Sequence, residues 1–160
     1  MQSGFRAEDR AIGDGRVVLY YFPPEPLSKR SVQATFGHNI TLQEAQVLPA
    51  LPPGAVLPVD LRWQANQPVA HNYHVFVHLL DEQEQHIAQS DGQPALWTRP
   101  TSSWQPGEVI EDRHALSLPA DLPPGNYQLI VGLYLPESGQ RLAASDGKSF
   151  ASLGVIHVAR

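Results

Sequence analysis

The chain has 160 residues, of which 42% are hydrophobic and 17% charged, so it is neither intrinsically disordered nor a coiled coil. The formal net charge of −5, without a basic patch interleaved with aromatic residues, argues against a nucleic-acid partner. Because the chain has no Cys, a disulfide scaffold, a thiolate metal site and a Cys nucleophile are all excluded.

The first 30 residues are predicted to form a poorly ordered or extended N-terminal arm ahead of a single domain over residues 31–160. Residues 1–16 are polar and contain Gly, and Val17–Phe22 is a short apolar and aromatic run. The start of the chain lacks the basic and then apolar pattern of a signal peptide and looks like the interior of a longer protein. We therefore expect a fragment of a longer chain, and no apolar run here approaches the ~18 residues of a membrane span.

Alternation of apolar and polar residues predicts short strands in the first half of the domain. Residues 31–36 and 40–42 show this alternation, whereas residues 42–48 would form at most one helical turn, too short to be stable alone. Val56–Trp63 is a predicted strand with four core residues on one face: Leu57, Val59, Leu61 and Trp63. Pro58 lies on the other face, and its missing N–H indicates an edge position or a bulge.

The strongest predicted strand is Tyr73–Asp81, because both of its faces are largely apolar. One face carries Tyr73, Val75, Val77 and Leu79, and the other carries His74, Phe76, His78 and Leu80. We expect a central strand whose second face is covered or functional, and Val17–Phe22 is the predicted cover. A loop at residues 81–85 leads to a return strand over residues 86–89, and Asp91-Gly92 favours this hairpin over a helix across residues 79–88.

Residues 91–107 are the longest predicted loop, and the remaining strands follow it. They are predicted over residues 108–118, 126–134, 141–144 and 150–158, with Pro and Gly turns between them. Asp112 lies at one of the alternate positions of its predicted strand that face the core. We therefore expect it to pair with Arg113 or Arg141 at the rim, or to mark a bulge.

These patterns predict an all-β fold, a two-sheet immunoglobulin- or fibronectin-III-like β-sandwich with about eight strands and little or no helix. Tyr127, two residues after Gly125 at the start of a late strand, is typical of a tyrosine corner, in which the hydroxyl bonds to the upstream backbone. Structural roles are assigned to four residues: Tyr127, Trp63, Gly125 and Asp112.

A series of linked motifs gives the sequence a recognisable pattern. The motifs are Trp63, Tyr73–Asp81, Asp91 with Pro94, Pro100-Thr101, Trp104–Glu108, Asp112, Leu122–Tyr127, Val131–Tyr134 and Arg141-Leu142. Over roughly residues 32–158 the chain resembles a β-sandwich domain at the C-terminus of some bacterial multi-spanning membrane glycosyltransferases, which use lipid-linked sugars. It departs at residues 82–85, where related loops more often carry Asp-Gly, a difference confined to a turn.

The resemblance implies an extracytoplasmic, non-catalytic accessory domain, because the family's catalytic residues lie in its membrane portion. The expected roles are positioning of a glycan or acceptor, or contact with other proteins. The implied partners are a glycan or lipid-linked sugar and the chain's own membrane-embedded catalytic portion, and no cofactor is expected. Two alternatives remain open: a free-standing carbohydrate-binding module, and a hydrolase with loop carboxylates.

The predicted binding surface is the loop at residues 91–107, since a long loop in a compact domain is usually functional or self-packed. Aromatic planes bind the C–H faces of sugars, and polar side chains bind their hydroxyls. The candidate ligand residues are therefore Trp97, Trp104, Asp91, Arg99 and Thr101. For Trp104 we favour the alternative that it folds back to close the end of the sandwich, whereas for Trp97 both interpretations stand.

The sequence predicts no metal-binding or catalytic set. His74 and His78 share a strand face but lie roughly 13 Å apart, too far to bind one metal ion, and the other His residues could meet only through the fold. No nucleophile motif is present, and the candidate serines lie in turn contexts: Ser90, Ser102, Ser103 and Ser145. No spacing selects a hydrolytic pair among the carboxylates near the loop: Asp91, Glu108, Glu111 and Asp112.

Overall fold

The computed structural model describes residues 4–23 and 26–160, and its elements are nearly all strands. The strands are β1 (Phe5–Ile12), β2 (Gly15–Tyr21), β3 (Ser28–Phe36), β4 (Ile40–Val47), β5 (Ala50–Leu51), β6 (Val56–Ala65), β7 (His74–Leu80), β8 (His86–Gly92), β9 (Val109–Ser117), β10 (Gly125–Tyr134) and β11 (Ala151–Val158). Within the described ranges the helical segments are a four-residue turn, α1 (Pro94–Trp97), and a 3-10 turn at Thr101–Ser103. The predicted all-β class with little helix is confirmed.

Two sheets form a sandwich, and a hairpin stands beside them. One sheet has five strands in the order β5-β11-β10-β7-β8, and the other has four in the order β3-β4-β6-β9. In the described part of the chain, strands β1 and β2 pair with each other alone, as a two-stranded sheet. The short β5 runs parallel to β11, and the other strand pairs are antiparallel. The finer immunoglobulin or fibronectin III topology stays a prediction.

The core lies between the facing sides of the two sheets. The predicted alternation in β6 is confirmed, since its four core residues are fully buried: Leu57, Val59, Leu61 and Trp63. Strand β6 lies between β4 and β9, but its pairing with β4 ends at Val59–Val47, one residue before Pro58. At Pro58 the described pairing of β6 is with β9 alone. Pro58 therefore occupies a local edge, where its missing N–H leaves no gap in the β4 ladder.

The predicted tyrosine corner is present at the start of β10. The Tyr127 hydroxyl donates a hydrogen bond of 2.7 Å to the Pro123 carbonyl oxygen. Gly125 opens the strand and pairs with Val158 of β11. The hydrogen bond ties the entry of β10 to the turn before it, an interaction worth about 1 kcal/mol net.

The outer face of β7 is covered, as expected for a central strand, but the predicted cover is wrong. Val17–Phe22 lies in and just after β2 and is absent from the apolar cluster on this face. The Phe76 ring lies over Gly132 so closely that a Cβ there would come within 2.3 Å of it. Three side chains from the end of β10 and the segment after it complete the cover: Tyr134, Arg141 and Phe150. The sheet and its following loop therefore supply their own cover.

The N-terminal segment forms a hairpin that the sequence patterns did not predict. Asp9 of β1 forms ion pairs with Arg6 on its own strand and with Arg16 on β2, so a single carboxylate links the strands. Of the two predicted alternatives, a poorly ordered or an extended arm, poor order does not describe residues 5–21, which are extended and paired as two strands, with β1 lying along β9. The same prediction also covered residues 1–3, 24 and 25, which lie outside the described part of the chain.

Of three further local predictions, one is confirmed and two are not. Residues 42–48 form no helical turn, because β4 pairs along its length with β3 and β6. The hairpin predicted across residues 81–89 is confirmed, because β8 returns along β7, although Asp91 and Gly92 pair with β7 inside β8 and are not in the turn. The predicted strand at 141–144 is reduced to isolated bridges at Arg141 and Ala144.

In the described ranges, 4–23 and 26–160, no helix has both the length and the apolarity needed to cross a bilayer.

Candidate functional site

The candidate site lies at one edge of the sandwich, where the last strands of the two sheets, β8 and β9, meet beside the hairpin. Two cavities of about 330 Å³ and about 540 Å³ open there. They share four lining residues, Arg6, Asp9, Leu96 and Trp97. We call this combined space the edge groove. Its walls come from β1, β2, β8, β9 and α1, so only the tertiary fold assembles it.

The turn α1 has a left-handed backbone. The φ angles of Ala95, Leu96 and Trp97 are 54°, 55° and 68°. For residues with a side chain this conformation costs roughly 1–2 kcal/mol each. Such strain persists only where the surrounding structure holds it, and it concentrates at functional sites. The turn that carries Trp97 therefore needs a specific support.

Asp112 of β9 provides that support from inside the sandwich. Its side chain is only 1% exposed, and its Oδ1 accepts a hydrogen bond of 2.9 Å from the Ala95 N–H. Its Oδ2 accepts a bond of 3.3 Å from the Trp63 indole N–H and lies 2.8 Å from His114 Nε2. The buried carboxylate is thus fully hydrogen-bonded, and it ties the left-handed turn to the core.

The partners predicted for Asp112 are wrong. The pairing of β9 with β6 runs through Leu61–Asp112 without a register shift, so no bulge turns Asp112 outwards. Because neighbouring residues in a strand point to opposite faces, Arg113 lies on the outer face, where it pairs with Glu111. Arg141 lies over the Phe76 ring on the other sheet.

His114 connects this buried carboxylate to the edge groove. Its side chain is 6% exposed, and its Nδ1 lies 2.9 Å from the Ser90 Oγ of β8. Ser90 is half-buried and lines the smaller cavity. The three side chains Ser90, His114 and Asp112 therefore form a continuous hydrogen-bonded chain across the facing edges of the two sheets.

Trp97 is the most exposed large aromatic ring at the site, with 56% of its surface accessible. Its indole packs against Gly92, where an added Cβ would lie 3.0 Å from Trp97 Nε1. The His74 ring meets it edge-on at a centroid distance of 5.0 Å. The indole is thus held in place on two sides, and the remainder of its surface faces solvent and the groove.

The two predicted polar residues Asp91 and Arg99 lie on opposite sides of α1. Asp91 borders the edge groove, but its carboxylate lies on the outer sheet face, where Oδ1 is 3.2 Å from His78 Nε2. Arg99 forms an ion pair of 2.6 Å with Glu108 and does not line either cavity. The structure therefore brings Asp91 to the groove and keeps Arg99 in a loop contact.

Burial removes two predicted ligand residues, Trp104 and Thr101, from the binding surface. Trp104 is 2% exposed, packs on Trp63, and donates its indole N–H to the Arg99 carbonyl oxygen at 3.0 Å. Thr101 is fully buried, and its hydroxyl bonds the backbone of His71 and Tyr73. Their predicted ligand roles are corrected to packing roles, which is the alternative favoured above for Trp104.

Two rings of the aromatic cluster next to Trp97, His74 and Tyr134, have shifted pKa values. Burial lowers the pKa of His74, although the carboxylates of Glu137 and Asp91 act in the opposite direction. Burial also raises the pKa of Tyr134, and the charge of Asp91 adds to that rise. Both shifts favour the neutral form of the ring, for His74 against Trp97 and for Tyr134 against His74. In the loop, the hydrogen bond from Arg99 lowers the pKa of Glu108.

Sequence reasoning missed most of the polar wall of the edge groove. Ser90 was assigned to a turn, and the arginines of the hairpin, Arg6 and Arg16, were assigned to a poorly ordered arm. One signal was available, since Asp112 and His114 are polar residues at consecutive core-facing positions of β9. Two such residues side by side in a core predict a shared hydrogen-bond network, which the structure shows.

Among the described residues, no group of three or more His, Asp or Glu side chains is placed to hold a metal ion. His74 contacts Trp97 and Tyr134, and His78 contacts Phe76 and His86, so both lie in an aromatic cluster. The chain matches no protein-family model and no curated protein.

Proposed function

We propose that this chain is an accessory domain of a bacterial membrane glycosyltransferase, on the extracytoplasmic side, and that its edge groove holds a glycan or acceptor. In this role the domain takes no part in the glycosyl transfer itself. The observation that carries the binding function is Trp97, an exposed indole fixed in orientation at the mouth of a polar groove.

The chemistry of the groove suits a sugar. An aromatic plane packs against the C–H face of a pyranose, and hydrogen-bonding side chains around it bind the hydroxyls. The groove that Trp97 lines includes side chains of this kind, among them Arg6, Asp9, Gln89 and Gln93. Cavities of about 330 Å³ and about 540 Å³ fall in the range that small ligands occupy in proteins.

The strain in α1 also favours binding over packing as the role of Trp97. A residue that serves only the core is held in a relaxed backbone, as Trp104 is, with φ −73° and ψ 133°. The left-handed turn instead orients a ring that is mostly outside the core. A preformed aromatic surface lowers the entropy cost of binding a flexible glycan.

The link to a membrane glycosyltransferase is supported by the series of motifs from Trp63 to Leu142 in the sequence. Within this series, Trp63, Asp112 and Tyr127 hold the core, and Asp91 borders the groove. A free-standing carbohydrate-binding module would use the same groove, and therefore differs from the proposal in genetic context rather than in geometry.

Binding is tested by titrating the protein with a panel of bacterial glycans and lipid-linked sugar headgroups, with Trp fluorescence as the signal. Because Trp63 and Trp104 are buried, a change in emission reports on Trp97. We expect a saturable response that Trp97→Ala abolishes and Val155→Ala, an exposed apolar residue elsewhere, preserves. If no glycan of the panel changes the emission, the binding function is wrong.

The glycosyltransferase link is tested separately, by reading the native gene upstream of the Met1 codon. An open frame that continues into a series of hydrophobic spans supports it. A stop codon or a signal-peptide sequence immediately upstream contradicts it and leaves the free-standing binding module as the function.

A further inference from the structure

We propose that Ser90 is a nucleophile for the hydrolysis of small carboxylic esters, with His114 as its general base and Asp112 as the residue that positions His114. This activity goes beyond the proposed function, although it uses the same groove. Neither the sequence motifs nor the resemblance pointed to it. It rests on how the fold joins β8 and β9.

The geometry is that of a hydrogen-bonded nucleophile, base and orienting acid. Ser90 Oγ lies 2.9 Å from His114 Nδ1, and His114 Nε2 lies 2.8 Å from Asp112 Oδ2. Both distances are within the range required for proton transfer between such groups. Sets of this kind are recognised by geometry and role, since they recur on unrelated folds and in different chain orders.

The hydrogen bonds of Asp112 determine which ring nitrogen of His114 carries the hydrogen. The Ala95 N–H and the Trp63 indole N–H can only donate, so Asp112 accepts on both oxygens. His114 Nε2 shares Oδ2 and is therefore the donor in that contact. The other ring nitrogen, Nδ1, is left with its lone pair toward Ser90 Oγ and accepts the hydroxyl proton.

The accessibility of the three groups matches their roles. Asp112 and His114 are buried, whereas Ser90 is half-buried and lines the cavity of about 330 Å³. A substrate can therefore reach the hydroxyl, while the base and the acid border the same cavity with most of their surface buried. Side chains with N–H donors for a developing oxyanion line the same cavity, among them Arg6, Gln89 and Gln93.

The hydrolysis consumes the ester and one water molecule, and its atoms and protons balance. Ser90 Oγ adds to the ester carbonyl carbon while His114 Nδ1 takes its proton. The C–O bond to the alcohol then breaks, and His114 returns the proton to the leaving oxygen, which leaves an acyl group on Ser90. Water, deprotonated by the same nitrogen, attacks the acyl carbon and releases the carboxylic acid and the Ser90 hydroxyl.

The size and walls of the cavity restrict the substrate class. A volume of about 330 Å³ accommodates a short acyl group together with the ring or chain that carries it, but not a long fatty acyl chain. Trp97 at the opening provides the surface for the alcohol portion. A short-chain ester of a hydroxylated compound is therefore the substrate class that the site fits.

The experiment is covalent labelling of the full chain with a fluorophosphonate, read as intact protein mass. We expect one adduct per chain on wild-type protein, which peptide mapping places on Ser90. The adduct should be lost in Ser90→Ala and retained in Ser117→Ala, a matched change at an exposed serine of β9. In parallel, hydrolysis of 4-nitrophenyl acetate should fall at least about 100-fold in Ser90→Ala, the contribution of one general base and its nucleophile.

The wild-type measurement is decisive, so the result does not depend on whether a variant folds. Absence of an adduct on folded wild-type protein, or an adduct that persists in Ser90→Ala, overturns the proposal and leaves the three side chains as a structural network. If the wild-type protein takes no fluorophosphonate label but still shows the fluorescence response to a glycan, the hydrolase proposal alone is overturned. The proposed binding function then stands.

Discussion

The segment between β8 and β9 contains one tryptophan in each half, and the first is exposed whereas the second is buried. Trp97 is 56% exposed on a strained left-handed turn, whereas Trp104, seven residues later, is 2% exposed in relaxed extended backbone. Trp104 satisfies its indole N–H on the Arg99 carbonyl oxygen and packs on Trp63. Trp97 packs against Gly92 and meets the edge of His74. Residue type therefore does not determine whether a tryptophan lies in the core or at the surface. Here the two positions differ in the conformation of the backbone that carries the ring.

The largest expected effect compares the two tryptophans directly. Trp104→Ala should lower the free energy of unfolding by about 3–5 kcal/mol, because it leaves a cavity against Trp63. Trp97→Ala should change it by about 0.5 kcal/mol or less, since most of its ring is already in water. Urea unfolding of both variants provides the measurement. Equal losses in the free energy of unfolding would contradict the assignment of Trp104 to the core and of Trp97 to the surface.

The next effect tests the support beneath Trp97. Asp112→Asn keeps the shape but can offer only one acceptor oxygen to Ala95, Trp63 and His114, so at least one donor loses its partner. We expect a loss of about 1–3 kcal/mol in stability, the cost of an unsatisfied buried group. The emission of Trp97 should also shift toward that of a freely moving indole. The exposed Asp121→Asn serves as the control, and unchanged emission in Asp112→Asn would show that the turn holds itself.

A smaller perturbation targets the orientation of the Trp97 ring alone. Gly92→Ala places a methyl group 3.0 Å from Trp97 Nε1, closer than ordinary contacts, so the ring should move away from β8. We expect a glycan response reduced several-fold with a stability change of about 1 kcal/mol or less. Gly15→Ala, whose added Cβ would meet only a carbonyl oxygen at 3.4 Å, is the matched control. A full response in Gly92→Ala would show that the ring needs no fixed orientation.

The smallest effect is the pH dependence contributed by His74. Burial holds its folded pKa below the ordinary value of 6.5, so on acidification the unfolded chain binds the proton first. The contribution of His74 to stability is therefore present above about pH 6.5 and is lost as the pH falls through the folded pKa. Urea midpoints between pH 8 and 5 should show a steeper decline for wild type than for His74→Gln. Identical slopes would contradict the shift.

Strand periodicity in the sequence predicted most of the sandwich. The alternation in residues 56–63 identified the core face of β6, and Tyr73–Asp81 identified a central strand, because side chains in a strand alternate whatever the neighbours are. The pattern at Leu122–Tyr127 predicted a hydrogen bond that the structure contains. These features depend on residues close in the sequence, which is why they could be predicted.

The site was predicted only in part, because its parts are distant in the sequence. Trp97 and Asp91 were expected at a binding surface and do border the groove, while Trp104 and Thr101 turn into the core. Nothing local distinguishes these outcomes. Each depends on which backbone group or ring lies across from the side chain once the two sheets have packed.

The sequence by itself determined the all-β class, the positions of the main strands and the corner at Tyr127, since these follow from local periodicity and turn chemistry. Tertiary structure alone decided that the N-terminal residues form a wall of the groove and that Ser90 meets His114 across two sheets. It also decided that Asp112 stabilises a left-handed turn seventeen residues away. The physical reason is that a buried carboxylate must satisfy its hydrogen bonds with whatever donors the packed sheets bring to it.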